Sequence, residues 1–213
     1  MSKIPVFDIG NTLAPTEDEI NQSVTKKLHQ QGISEVPHFP EDEYNIYNPK
    51  DVQEWLDEHE VETDAERISL AYKGQNKRFF QRKGLLKLLR RLGEDFGPIG
   101  FVADNTTEAR EFYQNLFEGN DEEEPINYEG FVVPSDVDEE GLTVEVFEEF
   151  LDQREEDADR FVYFSNDARN REEVEEAGME FVLVKQYDYY DDDYDGPEIR
   201  RMVYGFIKKQ LEE

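Results

Sequence analysis

Short apolar runs alternate along the chain with longer segments in which apolar residues recur every three to four positions. Residues 4–7, 99–103, 161–164 and 181–184 have the length and the Val, Ile and Phe content of buried strands, and 130–133 is a shorter fifth run. Helix-period segments lie between them at 107–117, 143–151 and 170–177, the last closed by Gly178 where a left-handed residue ends a helix. A final helix is predicted from Pro197, a residue suited to the first helical position, with Ile199, Met202, Val203, Phe206, Ile207 and Leu211 on one face. Strands alternating with helices place a parallel sheet between two helical layers, so the predicted fold class is α/β.

Residues 15–95 interrupt this alternation and read as mainly helical. Capping boxes start helices at Thr16-x-x-Glu19 and Thr63-x-x-Glu66, while 36–49 is too rich in Pro and Asn for helix. The predicted organisation is a core of 1–14 and 96–213 with a helical cap inserted at 15–95. Ligands of open parallel sheets sit beyond the carboxyl ends of the strands, the edge from which such an insertion leaves, so it is placed to be a lid.

Charge adds a setting. The chain carries 53 Asp and Glu against 23 Lys and Arg, a formal charge of −30, spread in short clusters such as 121–124 and 191–193. A 37% hydrophobic and 13% aromatic content supplies a core that disordered chains lack. Such repulsion is tolerable in concentrated salt, where the Debye length falls to about 3 Å at 1 M, so the expected setting is the cytoplasm of a high-salt organism. The absence of cysteine excludes disulfides and thiolate metal sites, and His29, His38 and His59 are scattered, which argues against zinc. No secretory h-region follows Met-Ser-Lys and no stretch approaches the roughly 18 apolar residues of a membrane span, so no membrane association is expected.

The candidate chemistry starts where the first apolar run meets a turn, at Asp8-Ile-Gly10-Asn-Thr12-Leu. A strand ending in Asp-x-Gly-x-Thr-Leu resembles the first motif of the haloacid dehalogenase (HAD) superfamily, whose opening Asp attacks phosphorus. Three later segments resemble its other motifs in order. They are Phe101-Val-Ala-Asp104-Asn105-Thr106, residues 135–147 ahead of a helix, and Phe161-Val-Tyr-Phe-Ser165-Asn166-Asp167-Ala-Arg-Asn170 leading to Gly178. The resemblance implies a HAD-like, Rossmann-type core and a phosphatase-type hydrolase using an aspartyl nucleophile and Mg²⁺ on a small phosphorylated substrate.

Carried over residue by residue, the resemblance makes Asp8 and Thr106 catalytic, Asn105 substrate-binding, and Asp8, the Gly10 carbonyl, Asn166 and Asp167 the metal ligands. Key positions depart from the pattern. Gly10 stands where many members carry an acid, Asp104 where a hydroxyl is usual, Gly141 where Lys is expected, and Asn166 and Asn170 where two Asp are expected. Losing a positioned acid costs roughly 10²–10⁴-fold in rate. A catalytically impaired HAD-fold protein that binds a phosphorylated ligand or partner is therefore the alternative. Thr12 and Asn11 read as turn residues, Thr106 also as a helix N-cap, and Asp167 also as the start of the next helix. Lys185 and Arg169 are candidate replacements for the missing cation.

Between Arg67 and Gly93 lie nine basic residues (Arg67, Lys73, Lys77, Arg78, Arg82, Lys83, Lys87, Arg90 and Arg91) and no acid. Lys73, Lys77 and, further on, Lys185 are assigned to the phosphate-bearing substrate. The plainer reading is an amphipathic pair whose leucines pack inward while its cations neutralise the acidic body. Nucleic-acid binding through 67–91 is a second alternative. It is not favoured, because backbone phosphate contacts fade steeply with salt.

Overall fold

The computed structural model describes residues 3–10, 12–13, 25–26, 28–30, 33, 39–40, 43–119, 124–184 and 196–212. The chain divides into two compact units, Met1–Ala14 with Phe80–Glu213, and Pro15–Phe79. Among the described residues the helices are α1 (Pro49–Glu58), α2 (Ala65–Lys83), α3 (Leu85–Phe96), α4 (Thr107–Glu118), α5 (Val144–Asp152), α6 (Arg171–Glu176) and α7 (Gly196–Glu212).

Five parallel strands form one sheet in the first unit. β1 (Ile4–Phe7), β2 (Ile99–Val102), β3 (Tyr128–Val132), β4 (Phe161–Ser165) and β5 (Glu180–Leu183) lie in the order β3-β2-β1-β4-β5. The three inner strands β2, β1 and β4 are buried throughout because both faces of the sheet are covered there, while the edge strands β3 and β5 are partly exposed. On one face Ile4, Val6, Val102, Phe161, Tyr163 and Phe181 pack with Val146, Phe147 and Phe150 of α5 and Val174 of α6. On the other, Phe7 lies against Phe101 and Phe164, Phe101 stacks on Phe117 of α4 at 4.7 Å, and Phe164 meets Phe206 of α7. Within the first helical layer, the Phe150 ring closes over Gly100 and Gly130, where a Cβ would stand 2.4 and 2.7 Å from it; Gly130 also has φ +82°.

Register positions the site. Phe7 is level with Phe101 of β2 and Phe164 of β4, so the next residue, Asp8, emerges beside Val102 and Ser165 at the carboxyl edge.

At the opposite end, Arg154 is buried. Its Nη1 donates to the Glu129 carbonyl at 2.6 Å, Nη2 to the Pro98 carbonyl at 3.2 Å and Nε to Glu156 at 3.3 Å, with the guanidinium 5.0 Å from the Phe161 ring centroid. It ties the end of α5 to the entries of β2 and β3. Arg154→Met keeps the packing volume but strands two carbonyls, and at roughly 1.5–3 kcal/mol per charged hydrogen bond should lower unfolding stability by about 3–6 kcal/mol. A urea midpoint equal to wild type would count against this staple.

The second unit packs its own aromatics. Trp55 of α1 meets Phe39 edge-on at 5.1 Å, and Tyr72 of α2 meets Tyr47 at 5.3 Å, with the Asn76 amide donating to the Tyr47 hydroxyl at 3.1 Å. Asn48 caps α1 and Pro49 is its first residue, so the Pro and Asn of 36–49 end in a helix start.

Several expectations shift. The α2 cap is Asp64, not Thr63: its carboxylate accepts from the Arg67 N–H at 3.3 Å and its carbonyl from the Ile68 N–H. The capping box at Thr16 lies outside the described residues. The division between the compact units falls at residue 80, inside α2, and the α3 leucines pack in the core unit. Met202 is 57% exposed, so the buried face of α7 is carried by Val203, Ile207 and Leu211; the Ile199 side chain lies outside the described part. No helix among the described residues is long and apolar enough to cross a membrane.

Candidate active site

Asp8 is the first residue beyond β1, its N–H still donating to the Phe164 carbonyl at 3.0 Å, and it is only 6% exposed. Its Oδ1 accepts from the Ile9 N–H at 2.7 Å. Its Oδ2 accepts from the Ser165 hydroxyl at 3.0 Å and lies 3.2 Å from Thr12 Oγ1. Burial dominates these bonds and pushes the carboxyl up to about 7; the Ser165, Ile9 and Thr12 donors oppose the rise, and the Asp104 carboxylate adds to it.

Thr12 joins two loops. Its Oγ1 accepts from the Asn166 N–H at 3.0 Å and lies 3.1 Å from Asn166 Oδ1, so its single proton serves either that amide or Asp8. This agrees with reading Thr12 as a turn residue and adds a reason for the hydroxyl. Asn11 lies outside the described residues. Gly10 is half-buried at the same turn.

Ser165 is the residue sequence reasoning missed. It is buried at the last position of β4, accepts from the Asp167 N–H at 3.1 Å and passes its own proton to Asp8. The available signal was one hydroxyl closing an otherwise apolar run, level with Asp8. Tyr163, deeper on the same strand, donates to the Val102 carbonyl at 2.9 Å, and burial holds its phenol well protonated.

Beyond β2, Asp104 is raised by partial desolvation and by the Asp167 carboxylate, against the lowering influence of Arg169. Asn105 turns back with its N–H on the Ala103 carbonyl, and its buried Nδ2 finds no acceptor among the described residues. An orphaned donor of this kind costs about 1–3 kcal/mol, which a ligand oxygen would recover. Thr106 caps α4, accepting from the Ala109 N–H at 3.2 Å. Its hydroxyl oxygen is thus committed to the helix, the reading its position before Thr107 already allowed.

Asp167 is held by Arg169. Nε lies 3.0 and 2.9 Å from its two oxygens, Nη2 is 2.6 Å from Oδ2, and the Arg169 N–H donates to Oδ1 at 2.9 Å. The guanidinium keeps this carboxyl below its usual range. Asn170 precedes α6 without a side-chain capping bond. At Gly141 an added Cβ meets nothing within 4 Å.

Lys73 and Lys77 lie on α2 within the second unit, and Lys185 is outside the described residues. In the basic island Arg67 pairs with Asp64, Arg90 bonds the Glu124 carbonyl, and Arg91 pairs with Asp95 and sits 4.2 Å over the Tyr204 ring. These three cations bind the protein's own surface, as the neutralising reading requires.

The donor set does not fit a resident Mg²⁺. Such an ion is held through one or two carboxylates in near-ideal octahedral geometry. Of the assigned ligands, Asp167 is neutralised with both oxygens engaged, and Asn166 Oδ1 is engaged by Thr12. Asp8 and the Gly10 carbonyl remain, and both Asp8 oxygens are bonded. Among the described residues no group of three His, Cys, Asp or Glu converges.

No protein-family model and no curated protein matches the chain. Solved structures do. One is the HAD-family enzyme BT-2542 of Bacteroides thetaiotaomicron, as an aspartate-to-alanine mutant with magnesium and inorganic phosphate, at 13% identity over 91% of this chain and 100% of that one, TM-score 0.61. Another is the HAD-hydrolase YfnB of Bacillus subtilis bound to magnesium, at 13% identity over 86% and 88%, TM-score 0.56. A third is CbbY of Rhodobacter sphaeroides in complex with phosphate, at 13% over 91% and 90%, TM-score 0.53. At this identity the likeness establishes the fold.

Proposed function

We propose that this chain, which has the fold of the HAD-family hydrolases, is a phosphoric monoester hydrolase for a small phosphorylated molecule with Asp8 as its nucleophile. The observation that carries this reading is Asp8 itself, sunk at the carboxyl end of the central strand and fixed by Ser165, Thr12 and the Ile9 N–H. Oδ1, with one donor against two on Oδ2, is the attacking oxygen. It bonds to phosphorus as the ester P–O bond breaks, and the departing alkoxide takes a proton from water, because Gly10 supplies none. A second water then attacks phosphorus, releasing inorganic phosphate and restoring Asp8. The absent acid and lysine make turnover slow. Unit Pro15–Phe79 is assigned the role of cap, with Lys73 and Lys77 as its substrate contacts.

The nucleophile must be ionised, and its carboxyl is raised to about 7. The logarithm of kcat/KM should therefore climb with unit slope up to about pH 7 and then level, above the inflection near 6 that a phosphate ester contributes. A profile already flat from pH 5.5 would remove Asp8 from this role. Assays belong in molar KCl, the setting the acidic composition suggests.

Binding without turnover is the second reading. It is favoured by the Asp167–Arg169 pair and by Asn166 and Asn170 in place of two carboxylates. It predicts tight phosphate binding with no phosphate released from aryl esters.

A further inference from the structure

We propose that the Arg169 guanidinium supplies the positive charge of the Asp8 crevice, so that a phosphate-sized oxyanion binds there without a divalent metal, in competition with Asp167. This rests on the crevice being a phosphoryl site and extends that reading to how the charge is met.

Hydrogen bonds lead from the guanidinium to Asp8. Arg169 grips Asp167, whose N–H donates to the Ser165 hydroxyl, which in turn donates to Asp8. The cation is thus three links from the candidate nucleophile, at the tip of β4. It also acts electrostatically on Asp104 at the tip of β2. Its bonds to Asp167 use Nε and Nη2, and the side chain is 90% exposed, so the guanidinium has room to turn its fork toward an incoming anion. A planar fork matches phosphate oxygens in pairs, which a lysine cannot do. Asn105 Nδ2, one residue past Asp104, is a further donor without an acceptor among the described residues.

The alternative source of charge is a metal held partly by Asp167. The two sources give opposite signs for one substitution. If Asp167 competes for Arg169, removing its charge frees the fork and strengthens anion binding. If Asp167 ligates a metal, the same change weakens binding.

The experiment is titration calorimetry of inorganic phosphate into the full chain in molar KCl, with excess EDTA and separately with Mg²⁺, for wild type, Arg169→Gln, Arg169→Lys and Asp167→Asn. Expected are wild-type affinities within about twofold in the two buffers, a loss of about tenfold or more in Arg169→Gln, a partial loss in Arg169→Lys and a gain of several-fold in Asp167→Asn. Binding abolished by EDTA, weakened in Asp167→Asn, or unchanged in Arg169→Gln would overturn the proposal. Each of those results leaves a phosphate site in place, so the hydrolase reading survives them. Wild type that binds no phosphate in either buffer overturns the proposal and the phosphoryl site together. Near-ultraviolet circular dichroism checks that each variant keeps its tertiary packing.

Discussion

Asp8→Asn should lower aryl phosphate hydrolysis by about 10³-fold or more, since removing a nucleophile deletes a covalent route and is among the costliest changes an active site can suffer. The size follows from where Asp8 sits. Ser165 and Thr12 serve Oδ2 from β4 and from the following turn, and the Ile9 N–H serves Oδ1, so the carboxyl is held ready by groups that do not themselves react. An asparagine fills the same volume. Its oxygen still accepts from Ile9, and its amide donates to hydroxyls that are able to accept, so the loss reports chemistry and not collapse. Hydrolysis by the variant within threefold of wild type would show that another group performs the attack.

The same substitution should stabilise the fold at neutral and higher pH. A carboxyl raised from 3.8 to about 7 holds its proton more tightly folded than unfolded. The sign follows directly: below the unfolded value both states are protonated and there is no penalty. Between that value and about 7 the unfolded chain gains by ionising while the buried group resists; above about 7 the penalty is complete. At 1.36 kcal/mol per unit the penalty reaches about 4 kcal/mol at pH 8 and about 2 kcal/mol at pH 5.5. Urea unfolding of the two proteins should show Asp8→Asn more stable by amounts that differ between the two pH values in this way. A gain independent of pH, or a loss, would mean that Asp8 is not a buried, strained charge. Stability given up at a reactive group is a common trade in enzymes.

Much of the core was legible because a parallel sheet covered on both faces leaves uninterrupted apolar runs. Predicted 4–7 matches β1, and 161–164 falls one residue short of β4, whose last residue is Ser165. That single residue explains why the support of Asp8 was missed. A serine closing a strand carries no sign of its partner until the pairing of Phe7 with Phe164 sets it beside Asp8. Arg169 and Asp167 were each visible as charges, but residues two apart do not face one another on a helix. Here a short 3-10 turn, Ala168–Asn170, brings them together. Arg154 was unreadable for a different reason, since its acceptors are main-chain carbonyls of Pro98 and Glu129, distant in sequence and carrying no side-chain signature. The magnesium expectation rested on positions: the amides at 166 and 170 stand in the sequence, while the cation that claims the carboxylate at 167 shows only in the structure.

The covalent intermediate tests the central claim most directly. Protein mixed with a saturating aryl phosphate in molar KCl, quenched in acid during turnover and reduced with borohydride, should yield a peptide in which Asp8 has become homoserine, the product of a reduced acyl phosphate. Phosphate released during turnover while Asp8 is recovered unmodified, or with the label on another carboxylate, would contradict the account.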